Sequence, residues 1–191
     1  MRFITAFSIA LGFGGFAAAG DAESTSHRFF QNLSALCGQS FAGRATDVEE
    51  ATRSLAQERL FMHVRECTDA EIQIGFHVGE NRSRTWVVSR TDAGLQLKHI
   101  HRDENGRPEQ LSFYGGMATS NGTEWRQEFP ADAYSKEIFA AAGLEQSLQN
   151  IWSLEIGEQE FFAYALTRPE YKVRVAFDLK NPISPLPSIP N

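Results

Sequence analysis

The chain has few basic residues, which argues against several classes of partner. It carries 18 Lys and Arg against 24 Asp and Glu, a formal net charge of −6. Non-specific binding to a phosphate backbone needs clustered Lys and Arg, so this balance predicts no nucleic-acid partner. It also weighs against a strongly anionic membrane surface as a partner.

Motifs for catalysis are missing as well. The sequence holds no Gly-x-Ser-x-Gly elbow for a serine nucleophile. The pair Gly115 and Gly116 follows a predicted strand, but it lacks the pattern of a phosphate-binding loop. These absences favour a protein that is not an enzyme.

Cysteine is scarce, with two residues in the whole chain, Cys37 and Cys67. No redox motif surrounds either one, so a reactive thiol has no support. Two cysteines in an exported chain are expected to pair. A disulfide between them would contribute about 3–4 kcal/mol in the chain-entropy description.

Long apolar runs are absent except at the N-terminus. Arg2 gives a basic start, residues 3–16 are mostly apolar, and residues 17–19 are the small alanines that signal peptidase needs. A membrane span takes about 20 apolar residues, more than this run offers. We predict a signal peptide over residues 1–19, cleaved near Ala19, and a periplasmic or secreted protein with no transmembrane segment in the mature chain.

What the sequence does contain is a change of hydrophobic period. Apolar residues at spacings of three and four predict a short helix over residues 26–37, capped by Ser26 and ended by Gly38. A helical turn is predicted within residues 47–58. A second helix is predicted to be capped by Asp132 and to stop at Gly143.

Most of the remaining chain alternates with a period of two and has turn residues at intervals of roughly ten. Short strands with short links indicate an antiparallel up-and-down meander, which closes to remove exposed edges. We predict an all-β fold with two short helices, one barrel domain over residues 20–180 and a Pro-rich tail over 181–191. The ten predicted strands span residues 41–46, 59–67, 71–79, 85–91, 95–102, 109–115, 124–129, 150–156, 161–167 and 171–179.

A short helix before the segment LCGQSFAG, a long meander and a late helix make the chain resemble the calycin group of lipocalin-like and nitrobindin-like barrels. The Gly-x-Trp signature of lipocalins does not follow Gly38 or Gly43. The resemblance implies a barrel that holds one small apolar or amphipathic ligand. The order of segments also resembles an uncharacterised family of exported bacterial proteins, which implies no particular function.

Residues 95–116 are the first candidate for a site, because they are predicted to form a hairpin with two histidines on one face. His99 and His101 share that face with Leu95 and Leu97, and Tyr114 ends the second strand. Inward, partly dry histidines would line a pocket inside the barrel.

Neighbouring strands supply further candidates. Arg84 and Trp86 share a face, and a guanidinium there could clamp a carboxylate or a phosphate. The predicted ligand-binding residues are His63, Arg65, His77, Arg84, Trp86, His99, His101 and Tyr114.

The sequence leaves three alternatives open. The four imidazoles could bind a metal ion, as in a cupin-like enzyme that uses His99 and His101, although the second cupin motif is not found. One of them could instead be an axial heme ligand, as nitrobindin-like barrels imply. The barrel could also be a structural envelope protein without a ligand. The cofactor and the oligomeric state are not decided by the sequence.

Overall fold

The computed structural model describes residues 19–158 and 160–184. It shows ten antiparallel strands in up-and-down order that form a nearly closed barrel, with two short α-helices, which confirms the predicted fold class. The architecture is consistent with a calycin-like fold. The strands are β1 (Ser40–Val48), β2 (Leu60–Cys67), β3 (Glu71–Val78), β4 (Asn81–Thr91), β5 (Gly94–His101), β6 (Tyr114–Met117), β7 (Arg126–Pro130), β8 (Ile151–Gly157), β9 (Phe161–Arg168) and β10 (Tyr171–Ile183).

The strand order around the barrel is β6-β5-β4-β3-β2-β1-β10-β9-β8-β7, so β6 and β7 form the seam. Across the seam, the Thr119 N–H donates to the Glu128 carbonyl and the Asp132 N–H donates to the Gly115 carbonyl, both at 2.9 Å. A β-carbon on Gly116 would lie 1.8 Å from the Pro130 carbonyl oxygen. The close approach of the two edges therefore requires a glycine.

The inward face of each strand is apolar because successive side chains point to opposite sides of the sheet. In β5, Leu95, Leu97 and His99 are buried, while Gln96 and Lys98 are partly exposed. Corresponding rows from the other strands fill the lumen with Leu, Ile, Val and aromatic side chains. This alternation is what directs a polar inward residue such as His99 into the core.

The helix α1 (Ala19–Ser34) packs against one end of the barrel, which we call the lower end. Phe29 and Leu33 are fully buried in the core cluster. The prediction of a helix over residues 26–37 was wrong at both ends, since Ser26 lies inside the helix. The chain instead turns after Ser34, and Gly38 adopts the left-handed conformation at φ +80°.

The predicted disulfide between Cys37 and Cys67 is present. It joins the turn after α1 to the last residue of β2. The bond is compatible with an exported protein, because disulfides persist in oxidising compartments.

The helix α2 (Ala133–Ala141) begins as predicted. The Asp132 carboxylate accepts the Ser135 N–H at 2.8 Å, and Gly143 follows the helix at φ +71°. Two 3₁₀ segments, Glu50–Gln57 and Glu145–Gln149, lie in the connections at the opposite, upper end. The first occupies the region in which a helical turn was predicted.

The predicted strand over residues 109–115 was wrong, because pairing with β5 begins at Tyr114. The Ser112 hydroxyl accepts the His101 N–H at 2.9 Å and donates to the His101 carbonyl at 3.2 Å. The Ser112 side chain thus replaces the backbone acceptor that a longer strand would supply to the His101 N–H, while the His101 carbonyl also accepts the Glu109 N–H at 2.8 Å. Phe113 adopts φ +62° just before β6.

Both predicted terminal segments fall largely outside the described residues. Residues 1–18 of the predicted signal peptide and residues 185–191 of the predicted tail are not described. Pro182 and Ile183 continue β10 and pair with Phe41 and Ser40 of β1.

Candidate functional site

The two histidines of β5 face the lumen, where β4 supplies their neighbours. His99 lies opposite Trp86 and His101 lies opposite Arg84 in the antiparallel register. Five of the predicted site residues therefore come together inside the barrel. They are Arg84, Trp86, His99, His101 and Tyr114.

His99 is held by two hydrogen bonds that assign its tautomer. Its Nδ1 lies 3.2 Å from the Tyr114 carbonyl oxygen, which can only accept, so Nδ1 carries the proton. Burial lowers the pKa of His99 to about 3, so the ring is neutral near pH 7. Nε2 is then an acceptor, and the Tyr164 hydroxyl, at 2.9 Å, donates to it.

A second histidine–tyrosine pair lies above the first. The Tyr114 hydroxyl is 2.9 Å from His101 Nε2, and the Tyr114 ring stacks on His99 with centroids 4.7 Å apart. Burial raises the pKa of Tyr114 to about 12 and raises the pKa of Tyr164 well above its ordinary value. Both phenols therefore stay protonated and neutral under ordinary conditions.

Arg84 brings a positive charge to these pairs. Burial lowers the pKa of His101, and the Arg84 charge lowers it further, while the exposed Glu109 acts in the opposite direction. Arg84 Nη1 is buried and has no hydrogen-bond partner. Among the ion pairs between described residues, none involves Arg84.

Directly below Arg84 the lumen is filled by stacked aromatic rings. Trp86 lies between Phe76 and Tyr164, with centroid distances of 4.7 and 4.3 Å and interplanar angles of 18° and 9°. Trp152 closes the stack beside His99, with its centroid 5.0 Å away. A ligand at the level of these rings, which form an aromatic floor, would have to displace core side chains.

The upper row of inward side chains is less buried than the rows below. Arg84 and His101 are only partly buried, in contrast to the 2% exposed fraction of Trp86 and the 3% of His99. Partly buried apolar residues pack around this end of the core. They are Leu55, Val78, Leu148 and Leu166.

The other three predicted site residues do not join this group. Met62 and Val64 face the core, so His63 and Arg65 project from the outer wall of β2. His77 alternates with the inward Phe76 and pairs with Phe61, which places it on the same outer wall. The four imidazoles are thus split between two faces of the sheet.

The split bears on the metal and heme hypotheses. Both ring nitrogens of His99 already have partners, and His101 Nε2 is engaged by Tyr114. Over residues 19–158 and 160–184, no group of three or more His, Cys, Asp or Glu side chains could hold a metal ion. A metal or heme bound at His99 would have to break an existing hydrogen bond.

Sequence reasoning missed Tyr164 and Phe76. Tyr164 alternates with Phe162 and Leu166 on the inward face of β9, so its orientation was readable from the pattern. Its meeting with His99 was not readable, because the two residues are 65 positions apart.

Within the described part of the chain, no helix is both long enough and apolar enough to span a membrane. Comparison with models of protein families, with curated proteins and with solved structures finds no match to this chain.

Proposed function

We propose that this chain is an exported, calycin-like binding protein that takes up one small amphipathic ligand at the upper end of its barrel. The ligand carries an anionic group, which pairs with Arg84. The observation that carries the proposal is the Arg84 guanidinium, whose Nη1 is buried without a hydrogen-bond partner.

An anion at Arg84 has an energetic reason. Removing a charge from water is costly unless the charge is paired, and charge-assisted hydrogen bonds to a carboxylate are the strongest available compensation. The phenols of Tyr114 and Tyr164 offer no such charge, because both stay neutral at physiological pH, and the exposed Glu109 carboxylate forms no ion pair with Arg84 among the described residues. A ligand carboxylate would supply it and could take both guanidinium nitrogens at once.

The apolar part of the ligand has a matching surface. Leu55, Val78, Leu148 and Leu166 are partly buried at the same end of the barrel. Binding sites for small molecules combine an apolar lining with a few polar groups that fix orientation. The aromatic floor at Trp86 limits the depth of the site, which favours a short ligand over a long-chain lipid.

Export and domain limits are part of the proposal. The N-terminal pattern favours a signal peptide over residues 1–19, and the disulfide between Cys37 and Cys67 suits a periplasmic or secreted location. Residues 20–180 would then form the mature domain. The intact mass of the protein recovered from the export compartment tests this, with a mature start near residue 20 expected and an unprocessed N-terminus contradicting it.

A metal-dependent enzyme has less support. The inward histidines are engaged by tyrosines, and His63 and His77 lie on the other face of the sheet. A purely structural role would leave the unpaired Arg84 in the lumen without an explanation.

Matched calorimetric titrations of octanoate and octanol test the function. The two ligands have the same chain length and differ in charge. We expect octanoate to bind saturably and octanol to bind at least about tenfold more weakly, since a charge-assisted hydrogen bond contributes about 1.5–3 kcal/mol. Equal affinity for the two, or no saturable binding of either, would refute the proposal.

A further inference from the structure

The outer wall of the barrel carries a group of nitrogen-bearing side chains that the proposed lumen site does not use. We call it the outer basic cluster, and it consists of His63, Arg65 and His77 around Gly75, with Thr85 beside them. His63, Gly75 and Thr85 lie directly opposite one another on β2, β3 and β4.

Arg65 spans this row. Its Nη2 donates to the Thr85 hydroxyl at 3.0 Å, so the side chain crosses from β2 over β3 to β4. The crossing passes over Gly75, where no side chain stands in the way. Gly75 is itself buried, and its missing side chain leaves room beneath Arg65 for a small group.

Two nitrogen atoms from different strands point at that open position. An ideal β-carbon on Gly75 would lie 3.4 Å from His77 Nε2 and 3.9 Å from Arg65 Nη1. With the His77 proton on Nε2, an atom slightly above this position could accept hydrogen bonds from both nitrogens. The two nitrogens therefore form a site for a small hydrogen-bond acceptor. Binding there needs no rearrangement of the backbone.

The cluster also contains buried nitrogen atoms without partners. His77 is 3% exposed and its Nδ1 has no hydrogen-bond partner, and the same holds for the buried Nε of Arg65. Buried polar groups in proteins are nearly always satisfied, and an unsatisfied one is costly. The unpartnered atoms are not the two that face the position above Gly75, but they belong to the same two side chains, whose polar groups the described residues leave partly unsatisfied.

The charge around the cluster selects the kind of ligand. Burial, with smaller contributions from the nearby Arg82, Arg65 and His63, lowers the pKa of His77 to about 4. Burial lowers the pKa of Arg65, the negative charge of Glu66 raises it, and the positive charge of Arg102 lowers it. Guanidinium groups therefore dominate this part of the wall.

We propose that the outer basic cluster binds a phosphate-type oxyanion, held by Arg65 and His77 above Gly75. A tetrahedral oxyanion presents several acceptor oxygens to donors from two strands, and arginine is suited to phosphate recognition. The source is either free inorganic phosphate or the phosphate group of a monoester. This site is separate from the lumen site and does not depend on it.

Imidazole NMR of the whole protein tests the proposal. Inorganic phosphate is titrated at constant ionic strength, and sodium chloride serves as the reference titration. We expect phosphate to shift the His77 resonances in a saturable way while those of the lumenal His99 stay in place. No saturable shift at His77, or an equal shift with chloride, would overturn the proposal.

Two variants and one control sharpen the result. Arg65→Gln removes the guanidinium, and Gly75→Ala fills the open position with a methyl group at ordinary contact distances. Both are expected to weaken phosphate binding at least about tenfold, the effect of losing a charge-assisted hydrogen bond. Arg44→Gln, at an exposed position of β1, is expected to leave phosphate binding unchanged. If both cluster variants fold and bind phosphate like wild type, the assignment is wrong.

A parallel titration with glycerol phosphate distinguishes the two sources. If both compounds bind, the proposal holds with a monoester as the ligand. The site would then enclose the phosphate group and leave the glycerol part outside. Binding of inorganic phosphate alone supports it with the free ion as ligand. Arg84→Gln is expected to leave either result unchanged, which separates a failure here from a failure at the lumen site.

Discussion

The Tyr164 hydroxyl donates a hydrogen bond to His99 Nε2 at 2.9 Å and thereby links β9 to β5 through the lumen. The other nitrogen of His99 is tied to the Tyr114 carbonyl of β6. One imidazole thus joins three strands. These polar residues of the lumen form a connected structural unit, and Arg84 lies at its upper edge with its Nη1 buried and without a hydrogen-bond partner.

Removal of the Tyr164 hydroxyl should destabilise the fold. Tyr164→Phe leaves His99 Nε2 buried without a donor, which costs about 1–3 kcal/mol of unfolding free energy. Urea unfolding measures the loss. Tyr171→Phe is the matched control, because the contact of Tyr171 is the Arg168 guanidinium over its ring and not a hydrogen bond to a buried histidine. Equal losses in the two variants would contradict the role assigned to the pair.

The stability of the protein should fall on acidification from pH 7 to pH 5. The pKa of His99 is about 3 in the folded state, so the folded protein stays neutral at this site. The unfolded state binds a proton as the pH drops through its ordinary value near 6.5. Stability is therefore full above that value and is lost below it, by about 2 kcal/mol at pH 5 for His99 alone.

Denaturant unfolding at both pH values checks this, with His99→Gln as the comparison. The variant should lose that part of the pH dependence even if it is less stable overall. A pH dependence of the same size in His99→Gln would show that other groups cause it.

The seam of the barrel should not tolerate a side chain at Gly116. The β-carbon of Gly116→Ala would lie 1.8 Å from the Pro130 carbonyl oxygen, so β6 and β7 must separate. We expect a loss of about 3 kcal/mol or more, at the upper end of overpacking costs because the opposing atom belongs to the backbone. Gly75→Ala, which meets nothing closer than 3.4 Å, is the control. Thermal unfolding of the two variants measures the difference. Similar thermal midpoints would show that the seam does not require a glycine at position 116.

Reduction of the disulfide should lower the thermal midpoint. Cys37 and Cys67 are 30 positions apart, and a loop of this length contributes about 3–4 kcal/mol by restricting the unfolded chain. A fall of several degrees is expected by calorimetry in the presence of a reductant. A Cys37→Ser, Cys67→Ser double variant should be insensitive to the reductant. If wild type is equally insensitive, the bridge does not stabilise the protein.

Local patterns were enough to predict most of the strands and the face on which the side chains of β5 lie. Leu95, Leu97, His99 and His101 recur with a period of two, and that period fixes their common face. The same rule could have separated His63 from the lumen, because it alternates with the apolar Met62 and Val64. A shared residue type does not decide which face of its strand each histidine occupies; the alternation along the strand does.

Contacts between distant strands could not be predicted. Phe76, Trp86 and Tyr164 stack because β3, β4 and β9 enclose one lumen, and no local signal fixes their relative heights. The start of β6 depended on the Ser112 hydroxyl, which takes the place of a backbone partner of His101. Both features depend on tertiary geometry that no stretch of the chain specifies by itself.

The most direct test of the binding site compares octanoate titrations of wild type, Arg84→Gln and Arg44→Gln. Both variants remove one positive charge, but only Arg84 lies in the lumen, whereas Arg44 is exposed on the outer wall. We expect Arg84→Gln to bind octanoate at least about tenfold more weakly and Arg44→Gln to match wild type, since only one of them loses the charge-assisted hydrogen bond. Octanoate binding of wild-type strength in a folded Arg84→Gln variant would contradict the proposed function.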